Sequence, residues 1–384
     1  MTATTIKTPV TPKAFWAAAF FYLIIGFEFF YMASPFAVYF YSIYGPGLRF
    51  INHSPALTWL TNLFLPHIAE ETTSGLLRER NVIGAVLAFI GFLGFCLGAV
   101  QVYYHKLARK GAVLGGVYSL IRHPQYASLM LCGFGLLILW PRYIVLLSFT
   151  SMIFVYYFLA RYEEEECEKK FGEPYLYYKS RTAMFLPLPV SFRVKRGFLP
   201  KSKIPRLLTI LLIYGLLSFL AVIAANGLKS WSVNSLYGLF YDNQAFISVA
   251  KIETATTEEL VRIVFNNPDV KKRIEIETQS RQQKFINYIL PAQWYVSEIP
   301  MNRVEGAVGG HYHPKGYNQN LQRIVFTRAE LRPGTVAKGR DILLHTVRNE
   351  PLLEVVVDLG RNRVVGYQDP PARRKYDGIP VPLF

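Results

Sequence analysis

The feature that most constrains this chain is a series of long apolar runs, separated by short basic or proline-marked breaks. A helix needs roughly 20 apolar residues to cross a hydrocarbon core of about 30 Å, and only helices or closed barrels satisfy every backbone polar group there. Runs at 14–44, 82–104, 127–140, 143–160 and 207–225 predict about five transmembrane helices. A hydrophobic content of 52% and a mean hydropathy of +0.21 follow from these runs and are high for a soluble chain. Beyond about Trp231 the composition is that of an ordinary soluble domain. The expected fold class is therefore mostly α: a polytopic helical membrane bundle with a C-terminal α+β soluble domain.

The breaks divide the chain into an N-terminal anchor with an interfacial segment (1–80), a membrane core (81–190), a basic linker with a last transmembrane helix (191–228), and a soluble domain (229–384). Lys7 and Lys13 precede the first run without a small-residue cleavage site, which reads as an uncleaved anchor. Leu57–Ile68 is short and contains Pro66 and His67, so it reads as an interfacial helix or re-entrant piece. Gly94 and Gly98 have the GxxxG spacing that lets two helices pack closely. In the soluble part, Thr257–Phe265 and Val270–Tyr288 read as helical, and Leu353–Asp358 and Arg363–Gln368 as a hairpin around Gly360, Arg361 and Asn362.

The net charge of +16 sits mostly beside apolar runs, which is a topology signal rather than a nucleic-acid footprint. It places the N-terminus, the 105–125 loop (with His105, Lys106, Arg109 and Lys110) and the 161–206 segment in the cytoplasm, and the region after Ala225 outside. Cys96, Cys132 and Cys167 have no paired spacing that suggests a disulfide framework or a zinc site.

One constellation points to chemistry. Arg122, His123 and Pro124 precede the hairpin of apolar runs, and Glu163 and Glu164 follow it. Two consecutive crossings return the chain to the membrane face it left, so the cationic and acidic groups meet at one interface. Such a set suits a zwitterionic ligand with its own carboxylate, amine and hydroxyls. His311 and His313 face one side if they lie on a strand, but no third metal ligand follows at a familiar spacing, and the glycines at 306, 309 and 310 favour a loop with ordinary surface histidines.

These residues, together with GVYSLIRHPQY (116–126), FGEPYLYY (171–178) and MFLP (184–187), resemble the integral-membrane isoprenylcysteine carboxyl methyltransferases and the related phospholipid methyltransferases. The resemblance covers about a quarter to a third of the chain. It implies an S-adenosylmethionine site on the cytoplasmic side, held by His123, Pro124, Glu163 and Glu164, with Gly116, Tyr118 and Tyr126 as further contacts. It also implies a lipid-like acceptor entering from the bilayer. Glu165 and Glu166 depart from the family pattern, which blurs which carboxylates touch the ligand. Alignment of acceptor and methyl group is the main demand of the chemistry. Glu163 or Glu164 is the nearest candidate base for an ammonium acceptor, while Arg122 or Arg161 suits an anionic one. The accepting atom stays open between a prenylated cysteine carboxylate, a phospholipid amine and a thiol. A membrane-anchored binding or sensing protein with a relic core is the alternative of another class.

Overall fold

The computed structural model describes residues 56–69, 71–108, 113–187, 202–277, 283–308, 310–332 and 334–371, with 33–39 and the single positions 23, 30, 51 and 200. The chain divides into two compact units: residues 1–41, 89–133 and 151–195 form one, and residues 42–88, 134–150 and 196–384 the other.

The membrane part is carried by α1 (Arg80–Leu107), α2 (Pro124–Leu139), α3 (Tyr143–Phe171) and, after the short α4 (Glu173–Arg181), α5 (Lys203–Asn234). Helices α1, α3 and α5 are long and apolar enough to cross a membrane. Helix α2 has 16 residues and rises about 24 Å. It is the shorter arm of the hairpin that breaks at Pro141 and Arg142. Most of the expected 14–44 span, Arg109 and Lys110, and residues 193–199 of the basic linker lie outside the described residues. Of about five expected crossings, three are matched among the described residues by helices of sufficient length and apolarity.

Glycine sets the distance between α1 and α2. A Cβ on Gly91 would stand 2.3 Å from the Cys132 backbone nitrogen, one on Gly94 2.6 Å from Ser128 Oγ, and one on Gly98 3.0 Å from Gln125 Cγ. Gly135 repeats this from the facing helix, 2.3 Å from the Ala88 nitrogen. The close packing expected of Gly94 and Gly98 therefore extends over most of the contact: backbone meets backbone at Gly91 and Gly135, while Gly94 and Gly98 make room for the side chains of Ser128 and Gln125.

Of the two readings of Leu57–Ile68, an interfacial helix or a re-entrant piece, the helix is not seen. Only a 3-10 turn forms, at Thr58–Thr61, and irregular chain follows. Pro66 removes one donor. The segment instead takes its backbone partners from the hairpin tip, where Phe64 N–H donates to the Pro141 carbonyl at 2.9 Å and Tyr143 N–H to the Asn62 carbonyl at 3.2 Å. The Arg142 guanidinium donates to the Thr61 carbonyl.

The C-terminal region is built on a six-stranded sheet: β1 (Gly238–Tyr241), β2 (Gln244–Ser248), β3 (Lys284–Pro291), β6 (Leu321–Leu331), β7 (Thr346–Asp358) and β8 (Arg363–Gln368), in that spatial order. All neighbours are antiparallel except β2 and β3. That parallel pair needs a crossover, which α6 (Thr254–Asn266) and α7 (Pro268–Glu277) supply. Strand alternation sorts the core onto two faces. Phe246, Ile289, Ile324, Phe326 and Val355 pack on Leu260, Ile263, Val264 and Val270 of the crossover helices. Ala245, Ile247, Ile286, Tyr288 and Val325 face the other way. They meet Ile68, Val233 from the end of α5, the small hairpin of β4 (Tyr295–Val296) and β5 (His311–Tyr312), and α8 (Asp341–His345).

Two expectations need correction here. The segment 270–288, expected to be helical, is not one helix: α7 ends at Glu277, and Lys284 opens the central strand β3. This strand is buried along its whole length, so it lacks the polar alternation that would separate it from a helix. His311 is not an ordinary loop residue. It lies in β5, and its Nε2 stands 2.8 Å from the buried carboxylate of Glu298, which His67 approaches at 3.7 Å. The expected hairpin after Leu353 is present as β7 and β8.

Candidate active site

Helix α2 begins with Pro124 at its first position, where the missing N–H costs nothing. The turn before it is fixed by polar contacts. Gln101 of α1 donates to the Gly115 carbonyl at 2.6 Å and accepts from Val117 N–H at 3.2 Å, while Tyr118 Oη donates to Gln125 at 2.5 Å. Gly116 has φ +62°, a backbone conformation that favours glycine, and a Cβ there would lie 2.4 Å from Gln101 Nε2 and displace the amide that holds the turn. The stretch after α4 closes the turn from below. Arg122 N–H and His123 N–H donate to the carbonyls of Ala183 and Met184 at 2.9 and 3.1 Å, and Tyr178 Oη donates to the Tyr118 carbonyl at 2.6 Å.

The groups expected to converge do so. Glu164, from α3, is fully buried. Its Oε1 accepts from Arg122 Nε at 2.6 Å and lies 3.4 Å from His123 Nε2, while its Oε2 is 2.5 Å from Lys179 Nζ of α4. The same ammonium reaches Glu168 at 2.5 Å. Arg122 also donates to the carbonyls of Lys179 and Thr182. The adjacent Glu163 differs, for its side chain is 42% exposed. Tyr126 Oη donates to its Oε1 at 2.5 Å, and its Oε2 lies 3.5 Å from His123 Nδ1. The Tyr126 ring stacks on His123 at 5.7 Å and on Tyr156 at 4.7 Å, which fixes its hydroxyl toward Glu163.

Electrostatics follow from this packing. Burial alone would lower the pKa of His123, but hydrogen bonding to and the charge of Glu163 and Glu164 raise it above its ordinary value. Burial, with Glu163 nearby, pushes the Tyr118 phenol up, so it acts as a neutral donor. Tyr103 and Lys106, near the end of α1, also lie within electrostatic reach of Glu163.

Gly116, Tyr118, Arg122, His123, Pro124, Tyr126, Glu163 and Glu164 thus lie at one end of the α2–α3 hairpin. Arg161 does not join them: it sits about 200° round α3 from Glu163 and is half-buried. Glu165 and Glu166 are exposed. Lys179, Thr182, Tyr103 and Lys106 were missed by sequence reasoning. Lys179 carried a signal in its place within FGEPYLYYK, one residue past the motif that was read. Among the described residues, no group of three or more His, Cys, Asp or Glu is arranged to hold a metal ion.

An exposed carboxylate oriented by a phenol, beside an imidazole and above a glycine turn, offers acceptors for an ammonium or a hydroxyl and bare backbone for a flat ligand. No curated protein and no solved structure matches the chain. A family model described as phospholipid methyltransferase matches residues 81–174. That segment runs from the start of α1 to the first turn of α4 and contains the cluster from Gly116 to Glu164. Over residues 81–174 the chain is therefore similar to the phospholipid methyltransferases.

Proposed function

We propose that the protein is an integral-membrane, S-adenosylmethionine-dependent methyltransferase that acts on a lipid-like acceptor. The observation that carries this reading is the meeting of Arg122 and His123 with Glu163 and Glu164 inside the family-matched segment. The donor set fits the cofactor. Glu163 keeps a partly exposed carboxylate for an ammonium or ribose hydroxyl, and the Gly116 turn presents exposed backbone at a positive φ that favours glycine.

When bound, S-adenosylmethionine supplies a methyl group already activated on a sulfonium, so the protein's work is alignment and the exclusion of water. In this reading His123, Pro124 and the Gly116–Tyr118 turn form the floor of the cofactor site, and Tyr126 orients Glu163 toward the ligand. Arg122 is engaged by Glu164 and by two backbone carbonyls, so it serves here as a brace rather than a contact with an anionic acceptor. Glu163 is the group placed to take a proton from an ammonium acceptor. The basic flanks assign the site to the cytoplasmic face and residues after α5 to the other side.

Phospholipid amines are the first acceptors to test, since the matched family carries that name. Full-length protein in nanodiscs is incubated with methyl-labelled S-adenosylmethionine and, separately, a phospholipid extract, prenylcysteines and small thiols. Label in one acceptor class, lost in Glu163→Ala, is the expected result. Failure to bind S-adenosylhomocysteine at all overturns the reading.

A further inference from the structure

Lys179 lies outside the family-matched segment, in α4, yet it completes the shell of the buried carboxylate at the centre of the cluster. Its side chain is only 13% exposed, and its ammonium stands 2.5 Å from both Glu164 Oε2 and Glu168 Oε1. Arg122 occupies the other oxygen of Glu164 at 2.6 Å. The carbonyl of Lys179 also accepts from Arg122 Nη1 at 3.2 Å. One residue therefore supplies a cation to the acid and an acceptor to the arginine paired with it.

A buried carboxylate that loses one of its two cations draws on whatever donor remains in reach. Here that donor is His123, whose Nε2 already lies 3.4 Å from Glu164 Oε1 and whose Nδ1 lies 3.5 Å from Glu163 Oε2. Glu163 and Glu164 are consecutive on α3 and point about 100° apart, so the imidazole between them is shared. Whatever holds Glu164 decides how His123 is divided between the two acids.

We propose that Lys179 is a positioning residue of the cofactor site. It holds Glu164 within the Arg122 brace, leaves His123 beside Glu163, and so makes Glu163 the carboxylate presented to the ligand. This rests on the cofactor reading above. Lys179 also ties α4 to α3, at Glu164 and Glu168, while Tyr178 on the same helix holds the Tyr118 carbonyl. The cation thus fixes the helix that closes the turn before His123.

The test is S-adenosylhomocysteine binding to the full chain in nanodiscs, by calorimetry, for wild type, K179M, K179R, E164Q and the double variant K179M/E164Q. K179M is expected to weaken binding about tenfold or more. K179R is expected to recover most of it, because a guanidinium reaches both acids. In the double variant the stranded charge is gone, and binding is expected to be tighter than in K179M. Equal affinity of K179M and wild type overturns the proposal even if K179M melts earlier, since that is the signature of packing alone. Failure of both K179R and E164Q to rescue K179M overturns it as well. Should K179M not fold, the comparison of E164Q with K179M/E164Q decides: a tenfold loss on removing the lysine when residue 164 carries no charge for it to hold sinks the idea. Absence of binding by the wild type is a different failure and removes the cofactor reading itself.

Discussion

Two fully buried glutamates, one in each unit, look alike until their neighbours are compared. Glu164 is enclosed by Arg122, Lys179 and His123. Glu354, on β7, is enclosed by Arg323 at 3.0 Å, by the backbone and side-chain amides of Asn302, and by Gln368 at 3.1 Å. Both arrangements are what burial of a carboxylate demands. Only one of them stands next to a second carboxylate that is partly open to solvent and aimed by a phenol. Ion pairing in a protein interior is therefore no mark of a site by itself. What distinguishes the membrane cluster is the partly exposed carboxylate of Glu163 beside the buried, ion-paired Glu164.

The largest effect separating the two is expected from Glu354→Ala. It leaves Arg323 buried without its acid and should destabilise the C-terminal sheet by about 3–5 kcal/mol. Denaturant unfolding followed through Trp294, which is buried in that domain, reads this loss. S-adenosylhomocysteine affinity at low denaturant should not change. A variant that folds normally but binds poorly would put the two acids in one functional class and break the comparison.

The opposite signature belongs to Glu163→Ala. Its side chain is 42% exposed, so melting should hardly move. Removing a charged acceptor from a ligand ammonium or hydroxyl is worth about 1.5–3 kcal/mol, or roughly a ten- to hundredfold loss of S-adenosylhomocysteine affinity. Calorimetric binding at a single pH is enough to see it. Unchanged affinity with a lowered melting point would make Glu163 a second structural acid.

Tyr126→Phe sharpens the point with a smaller change. It keeps the ring stacked on His123 and Tyr156 but removes the donor to Glu163. The expected cost is about 1 kcal/mol, near fivefold in affinity, because only the orientation of the acid is lost. An effect as large as that of Glu163→Ala would mean the phenol itself touches the ligand.

These differences bear on what could be read before the structure. Apolar length and basic flanks announced the membrane helices, and the return of a hairpin to its starting face announced that His123 would meet Glu163 and Glu164. Spacing could not say which of two adjacent acids is buried, since that depends on Lys179 folding back from a separate helix. It could not expose β3 either, because a strand buried on both faces and a helix with a continuous apolar run look the same over eight residues. Glu298 with His67 and His311, and Glu354 with Arg323, join positions far apart in the chain. Nothing local in LQRIVF or in PLLEVV marks the second of these pairings.

The smallest expected effect concerns pH and again separates the two acids by their partners. The His123 ring is buried, which would lower its pKa, but Glu163 and Glu164 face it from α3 and raise it above the ordinary value near 6.5. A raised folded value means that the stabilisation from the charged ring is complete below about pH 6.5 and is lost as the pH climbs through the folded value. Thermal stability of the full chain should therefore decline from neutral toward mildly alkaline pH, and His123→Gln should flatten that decline. Glu354 pairs instead with Arg323, whose guanidinium stays charged throughout this range. A Glu354→Ala protein, though weaker overall, should keep the same decline. If the wild-type profile is already flat, His123 is neutral across the range, its 3.5 Å approach to Glu163 carries no ionic stabilisation, and the open acid is oriented by Tyr126 alone.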